Sequence, residues 1–320
     1  MKKTNTEHFG IQRKIVANMT SESWRNIPHV TYMYEHDASG LMREYRRLNL
    51  GRTPEEKITL NTLTLRLICE GLKAAPGMNA HIEYDKKLVR GKIDTYENID
   101  ISLPMMLPDG GMMTVNLHDF DKKSVEEMRD YIADVRRRME NTNMEEAMFD
   151  VSLTDTLRGI KKGKILNALY RLIGSKTGKH RIKGMSIKEK KEYLKIPASE
   201  RLTAHDIEQG TVTVSNIGSV YPGQTGVTSL LEIVPPQVCA IAVGAVQDRA
   251  LVVSDGDGYK SVEARPVLPL CIAFDHRALD FGDVVPFIKR LDEIFDNPEI
   301  IRSWSNKKND GNRGILSAEV

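Results

Sequence analysis

The stretch "FDHRALDFGD", residues 274 to 283, sets His276 four residues ahead of Asp280. A histidine titrates near neutrality and can take a proton from a substrate, and a nearby carboxylate can orient its ring. Spacing alone does not separate such a pair from a histidine that merely ends a strand. With 44 acidic residues among 320 and 8 histidines, about one acid at this distance is expected by accident, and His81 with Asp85 forms another such pair. The remaining reactive side chains point away from metal and redox chemistry. Cys69, Cys239 and Cys271 sit singly in apolar runs, with no CxxC and no histidine at ligand spacing, and are expected as buried free thiols. Neither GxGxxG nor GxxxxGK[ST] occurs, which disfavours Rossmann dinucleotide binding and nucleotide hydrolysis.

The elements that must position His276 can be read from periodicity. "GIQRKIVANMTSESWR" puts Ile11, Ile15, Val16 and Met19 on one helical face, and "IPHVTYMYEHD" reads as a strand after Pro28. "ASGLMREYRRLN" and "TLNTLTLRLICEGLKAAPG" read as helices, the second stopped by Pro76 and Gly77. "NAHIEYD" and "YENIDISLPMMLPDGGMMTVNLHD" read as strands, the latter turning at "PDGG". Ser124 and Glu127 form a capping box for a helix whose stripe of Val125, Met128, Tyr131, Ile132, Val135 and Met139 marks a core face. Four β-rich runs follow residue 210: "GTVTVSNIGS", "QVCAIAVGAV", "ALVVSD" and "RPVLPLCIAF". A last helix over about 284–296 turns Phe287, Ile288, Leu291 and Phe295 inward.

Composition is that of a soluble globular chain, with 40% hydrophobic and 28% charged residues. No apolar run approaches the roughly 20 residues of a membrane span, and the basic start lacks an apolar stretch behind it, so the cytoplasm is the expected compartment. The net charge of +2 conceals a basic segment: residues 151 to 210 hold 14 Lys and Arg against 6 Asp and Glu. This texture, from about 142 to 209, reads as an insertion. Within it Ile165, Leu166, Leu169, Leu172 and Ile173 outline a short amphipathic helix, better suited to a lid or subunit contact than to membrane contact. Residues 1–9 and 298–320 read as polar tails, and nothing points to nucleic acid.

Taken in order, these pieces resemble a known family. "GTVTVSNIGS", "PQVCAIAVGAV" and "LCIAFDHRALD" are similar to the catalytic domain of the 2-oxo acid dehydrogenase E2 acyltransferases, relatives of chloramphenicol acetyltransferase. So are "RKIVANMTSESWRNIPHVTYMYEHD", "TLNTLTLRLICEGLKAAPGMNAHIE" and "LPDGGMMTVNLHDFDKKSVEEM" in the first half. The resemblance covers roughly residues 10–141 and 210–297 of a catalytic domain spanning 10–297. It implies an α/β, two-layer fold: a chloramphenicol acetyltransferase-like mixed sheet flanked by helices, assembled as a trimer or a multiple of trimers with active sites between subunits. It implies acyl transfer between dihydrolipoamide and coenzyme A, the lipoyl group supplied in trans by another chain, with no metal. His276 matches the family's general base and Ser215 the hydroxyl that steadies the oxyanion. Asp280 matches the carboxylate that orders the active-site loop, its expected partner being Arg277 or an arginine of the N-terminal region. His29, Asn216 and Gly218 match positions that shape the site.

The sequence departs from the family in three places. Phe281 stands where relatives carry glycine after the motif aspartate, which would strain a backbone of positive φ and suggests a loop shifted by one residue. No lipoyl domain or Ala/Pro-rich linker is expected ahead of the core, and the basic insertion has no counterpart in ordinary E2 cores. The departures leave two other roles open, a coenzyme A-dependent acyltransferase acting on a small-molecule amine or alcohol and a non-catalytic E2-like scaffold.

Overall fold

The computed structural model describes residues 2, 4–107, 111–161, 170, 173–174, 177, 184–254 and 257–306. The chain opens with α1 (Ile11–Asn26), β1 (His29–Tyr34), α2 (Ser39–Leu48) and α3 (Leu60–Ala74). A hairpin of β2 (Ala80–Asp85) and β3 (Arg90–Thr95) precedes a second, of β4 (Ile101–Met106) and β5 (Met112–Leu117). Next come helices α4 (Val125–Glu140), α5 (Met144–Lys161), α6 (Ile187–Tyr193) and α7 (Ala204–Ile207). Then come β6 (Val212–Asn216), the short α8 (Ile217–Val220), β7 (Cys239–Val243) and the hairpin of β8 (Gln247–Ser254) with β9 (Lys260–Val267). β10 (Leu270–Asp275) and α9 (Phe281–Asp296) complete the site-bearing half.

Six strands form one sheet in the order β1-β10-β7-β6-β4-β5. β4, β6 and β7 run parallel to one another, while β10 pairs antiparallel with β7 and β1 and β5 pairs antiparallel with β4, so the sheet is mixed as the resemblance implies. Alternation along the central strands decides what each face carries. Ile241, Val243, Leu270, Ile272 and Phe274 point into the main core with Leu67, Ile68 and Leu72 of α3, Met128 and Val135 of α4, and Phe287 and Leu291 of α9. Ala240 and Ala273 face the other way, where Ile27 and Ile233 cover them. Small residues there let an irregular segment close that face of the sheet.

The α4 cap forms as read: Ser124 Oγ accepts from Glu127 N at 3.2 Å, and Glu127 Oε2 accepts from Ser124 N at 2.7 Å. Five readings change. β3 went unseen because all six of its residues are exposed, which erases the alternation that marks a half-buried strand. The run "RPVLPLCIAF" is two strands, β9 and β10, parted at Pro269, which has no N–H for a ladder. α9 starts at Phe281 rather than near 284, because Asp280 caps it with Asp283 and the helix accommodates Pro286. Val16 of α1 is exposed and only Ile11 and Ser23 are buried there, so the helix lies on the surface against α5. The core also passes residue 297, where the sequence suggested a polar tail: the 3₁₀ segment Pro298–Trp304 buries Ile301 and Trp304, and Arg302 pairs with Glu44 at 2.7 Å.

The basic stretch is fastened to the body near its far end, where Asp206 pairs with Arg138 of α4 at 2.8 Å, and it is braced internally by Lys190, which binds Asp150 at 3.1 Å and the buried Glu146. Of the amphipathic helix expected there, Ile165, Leu166, Leu169 and Leu172 lie outside the described residues, as does the "PDG" of the β4–β5 turn. Among the described residues no helix is long and apolar enough to cross a membrane, and no cluster of three or more His, Cys, Asp or Glu could hold a metal ion.

Candidate active site

His276 follows directly on β10, where its backbone N donates to Pro28 O at 3.1 Å and anchors it to the start of β1. Its side chain is about half exposed, at 51%. Asp275 O accepts from the backbone N of Ala278 (2.9 Å) and Leu279 (3.0 Å), closing a turn that brings the Leu279 carbonyl round to His276 Nδ1 at 3.1 Å. A carbonyl only accepts, so in the neutral ring Nδ1 carries the hydrogen and the lone pair sits on Nε2. Nε2 is then the nitrogen that can take a proton.

Asp280 lies beside the ring, its Oδ1 3.5 Å from Nδ1, with its own side chain 85% exposed. Of the two kinds of arginine partner expected for it, Arg277 is engaged elsewhere. Arg277 clasps the fully buried Asp275, donating from Nε at 3.0 and 3.1 Å and from Nη2 at 2.6 Å. Burial decides the matter, because a carboxylate removed from water holds a cation far more tightly than one facing it. Phe281 is unstrained: positive φ among non-glycine residues occurs only at Val89 and Asp119 of the described chain. It opens α9 and rests its ring 5.3 Å from that of Tyr32, so the aspartate loop is absorbed into a helix start.

Ser215 lies half-buried near the end of β6. The next residues shape its surroundings. Asn216 accepts from Ser219 N at 2.9 Å and donates to Asn61 at 2.7 Å, tying β6 to α3. Gly218 passes so close to Gly244 and Ala245 that a Cβ would sit 2.4 Å from their backbone. His29 is a staple: Nδ1 donates to Ile27 O at 2.9 Å, leaving Nε2 to accept from Ile233 N at 3.2 Å.

Within one chain Ser215 and His276 are far apart. Ser215 is level with Ala242 on β7, which is level with Cys271 on β10, five residues before His276. At ~3.3 Å per residue and ~4.8 Å per strand, the two side chains sit on the order of 20 Å from each other, toward opposite ends of the sheet.

The three cysteines are buried and free. Burial pushes the Cys69 thiol up to about 12 and raises those of Cys239 and Cys271 as well, so none supplies a thiolate at neutral pH. Sequence reasoning missed the Asp275–Arg277 pair and Tyr84, whose ring lies 5.6 Å from the Arg277 guanidinium carbon. A signal was present: an acid closing the apolar strand "LPLCIAFD" must be buried and therefore paired.

The profile of the 2-oxoacid dehydrogenases acyltransferase (catalytic domain) matches residues 2–154 and 181–302. The chain belongs to this family. The match breaks over 155–180, inside the basic stretch. The dihydrolipoyllysine-residue acetyltransferase component of the mitochondrial pyruvate dehydrogenase complex of Schizosaccharomyces pombe is 22% identical over 286 residues, covering 89% of this chain and 44% of that protein. The chain thus spans about half the length of the curated relatives it matches. The solved structure of Azotobacter vinelandii dihydrolipoamide acetyltransferase aligns with a TM-score of 0.60 at 18% identity over 94% of each chain. That study addresses the role of a serine, a histidine and an asparagine four residues after the histidine in its catalytic mechanism. A probable dihydrolipoamide acetyltransferase from Listeria monocytogenes aligns with a TM-score of 0.59 at 21% identity, over 92% of this chain and 95% of its own. The fold of this family member is therefore that of an E2 catalytic core.

Proposed function

We propose that this acyltransferase-family chain passes acyl groups between dihydrolipoamide, borne on a partner lipoyl domain, and coenzyme A. The His276 tautomer carries the reading: the Leu279 carbonyl holds Nδ1–H at 3.1 Å and leaves Nε2 as a base on an exposed ring. His276 takes the proton of the attacking thiol, whose free pKa near 8.5 keeps it mostly protonated at neutral pH. The thiolate adds to the thioester carbonyl, and Ser215 donates one hydrogen bond to the oxyanion that forms. Collapse expels the other thiolate, and His276 returns the proton to it. Asp280 borders the imidazole and caps α9, so its part is to shape the turn.

Because the sheet separates Ser215 from His276 by on the order of 20 Å, a second copy must bring its Ser215 to this chain's His276. A trimer, closed by three equivalent contacts, does so for every chain. We assign the inserted segment to 155–180, within the basic stretch at about 142–209 and beyond the reach of the family match.

The test is thiol release from acetyl-CoA with dihydrolipoamide as acceptor and His276→Ala as the blank. Turnover that the variant loses supports the proposal. Release only with a small amine or alcohol would move the chain to the small-molecule branch, and silence with all acceptors would leave a scaffold.

A further inference from the structure

Asp275 and Arg277 flank the proposed base, yet neither has a part in moving the proton. Their geometry gives them another task. The Asp275 carboxylate grips Arg277 at both ends, accepting from its backbone N at 2.9 Å and from Nε and Nη2 of the guanidinium. His276, the residue between, is thereby held in one backbone conformation. Asp275 also closes the turn through its own main chain, its N bound to Val238 O at 2.9 Å and its O receiving Ala278 N and Leu279 N. The guanidinium carbon lies over the ring of Tyr84 near the end of β2, 5.6 Å from its centroid, which ties the turn to the β2–β3 hairpin.

We propose that Asp275, Arg277 and Tyr84 are positioning residues that keep the Leu279 carbonyl on His276 Nδ1 and so fix the basic nitrogen at Nε2. The proposal rests on the acyltransferase reading of His276. Its physical basis is the shape of the arginine. A planar guanidinium can lie along a carboxylate with one edge and stack on an aromatic ring with its face, whereas a lysine ammonium supplies the same charge without the fork or the plane. Asp275 is fully buried, so a loosened partner leaves it seeking other donors, and the turn that carries Leu279 moves with it. Once the Leu279 carbonyl leaves Nδ1, the ring is free to place its hydrogen on Nε2, and the base points the wrong way.

The discriminating variant is Arg277→Lys, with Tyr84→Leu as a companion that disturbs the stack without stranding a buried charge. Two readouts are taken on the full chain. In protein labelled with nitrogen-15 histidine, the His276 ring signals are assigned by their loss in His276→Ala. The parent shows the Nδ1–H tautomer near pH 8, and Arg277→Lys shifts toward Nε2–H. In the thiol-release assay, kcat of Arg277→Lys falls by about 10- to 100-fold while KM for either thiol substrate changes by less than about threefold, the pattern of a misplaced base rather than lost binding. Tyr84→Leu shifts both readouts in the same direction by a smaller amount, about three- to tenfold in kcat. Retention of the Nδ1–H tautomer in Arg277→Lys overturns the proposal whatever the rate does. An unchanged tautomer and rate in Tyr84→Leu remove Tyr84 from the set. The tautomer is read on the resting protein, so it decides the positioning role even if the parent transfers no acyl group, an outcome that instead rejects the acyltransferase reading.

Discussion

The proposed use of the His276 imidazole as a base depends on a carbonyl three residues away, a dependence that no spacing rule displays. His276→Ala is expected to lower acyl transfer by about a hundredfold or more in steady-state thiol release, with the oligomer unchanged on a sizing column. Ser215→Ala removes the proposed oxyanion donor and is expected to lower kcat by about 10²-fold with little change in KM, since such a hydrogen bond strengthens only as charge develops. Asp280→Asn is expected to keep activity within about threefold in the same assay, because the carboxylate is largely solvated and its charge is screened. His276 and Ser215 could be singled out from the sequence because they stand in quoted motifs. The pairing of Asp275 with Arg277 was signalled only by an acid closing an apolar strand, because which acid takes the arginine depends on burial, and burial is settled when β10 sits inside the sheet.

Among the elements, those with a clean period were legible and those without one were not. α3 and α4 carry apolar stripes with stop or cap signals, and both appear where the pattern puts them. β3 is exposed throughout and β9 joins β10 through one unbroken apolar run, so neither had a boundary to read. Gly218→Ala tests the close approach after β6: the added Cβ must displace backbone of residues 244 and 245, and a loss of about 1–3 kcal/mol in urea unfolding is expected. A pH effect is built into the join between β5 and α7. His118 sets Nδ1 3.2 Å from Asp100 Oδ2 and Nε2 2.9 Å from His205 O, two partners that only accept, so the ring bridges them fully when protonated. The Asp100 hydrogen bond raises the His118 pKa above its ordinary value, against the opposing pull of burial. A raised folded-state pKa contributes stability that is complete below the unfolded value near 6.5 and fades as pH rises through the folded value. The stability lost in His118→Gln should therefore be larger at about pH 6 than at about pH 9, measured by urea melts at both. Equal losses at the two pH values would mean that the bridge is indifferent to charge.

At the scale of the whole molecule, the mixed sheet and its helical layer form one core, but the two residues proposed to do the chemistry lie toward opposite ends of it. This separation was hidden in the sequence, where Ser215 and His276 belong to strands that pair with a common neighbour; only the register puts one near the end of β6 and the other past the far end of β10. A site between copies follows, and the assembly is expected to run on a sizing column with light scattering at three times the chain mass or a multiple of it. Activity in mixed assemblies tests the shared site most directly. His276→Ala and Ser215→Ala chains, each lowered in activity by about a hundredfold or more alone, are co-expressed in equal amounts so that trimers form from both. A site built from two chains returns about a quarter of the parent activity, since one contact in four joins an intact His276 to a neighbour's intact Ser215. A mixture as silent as its components, in assemblies shown by mass to contain both chains, would contradict the account.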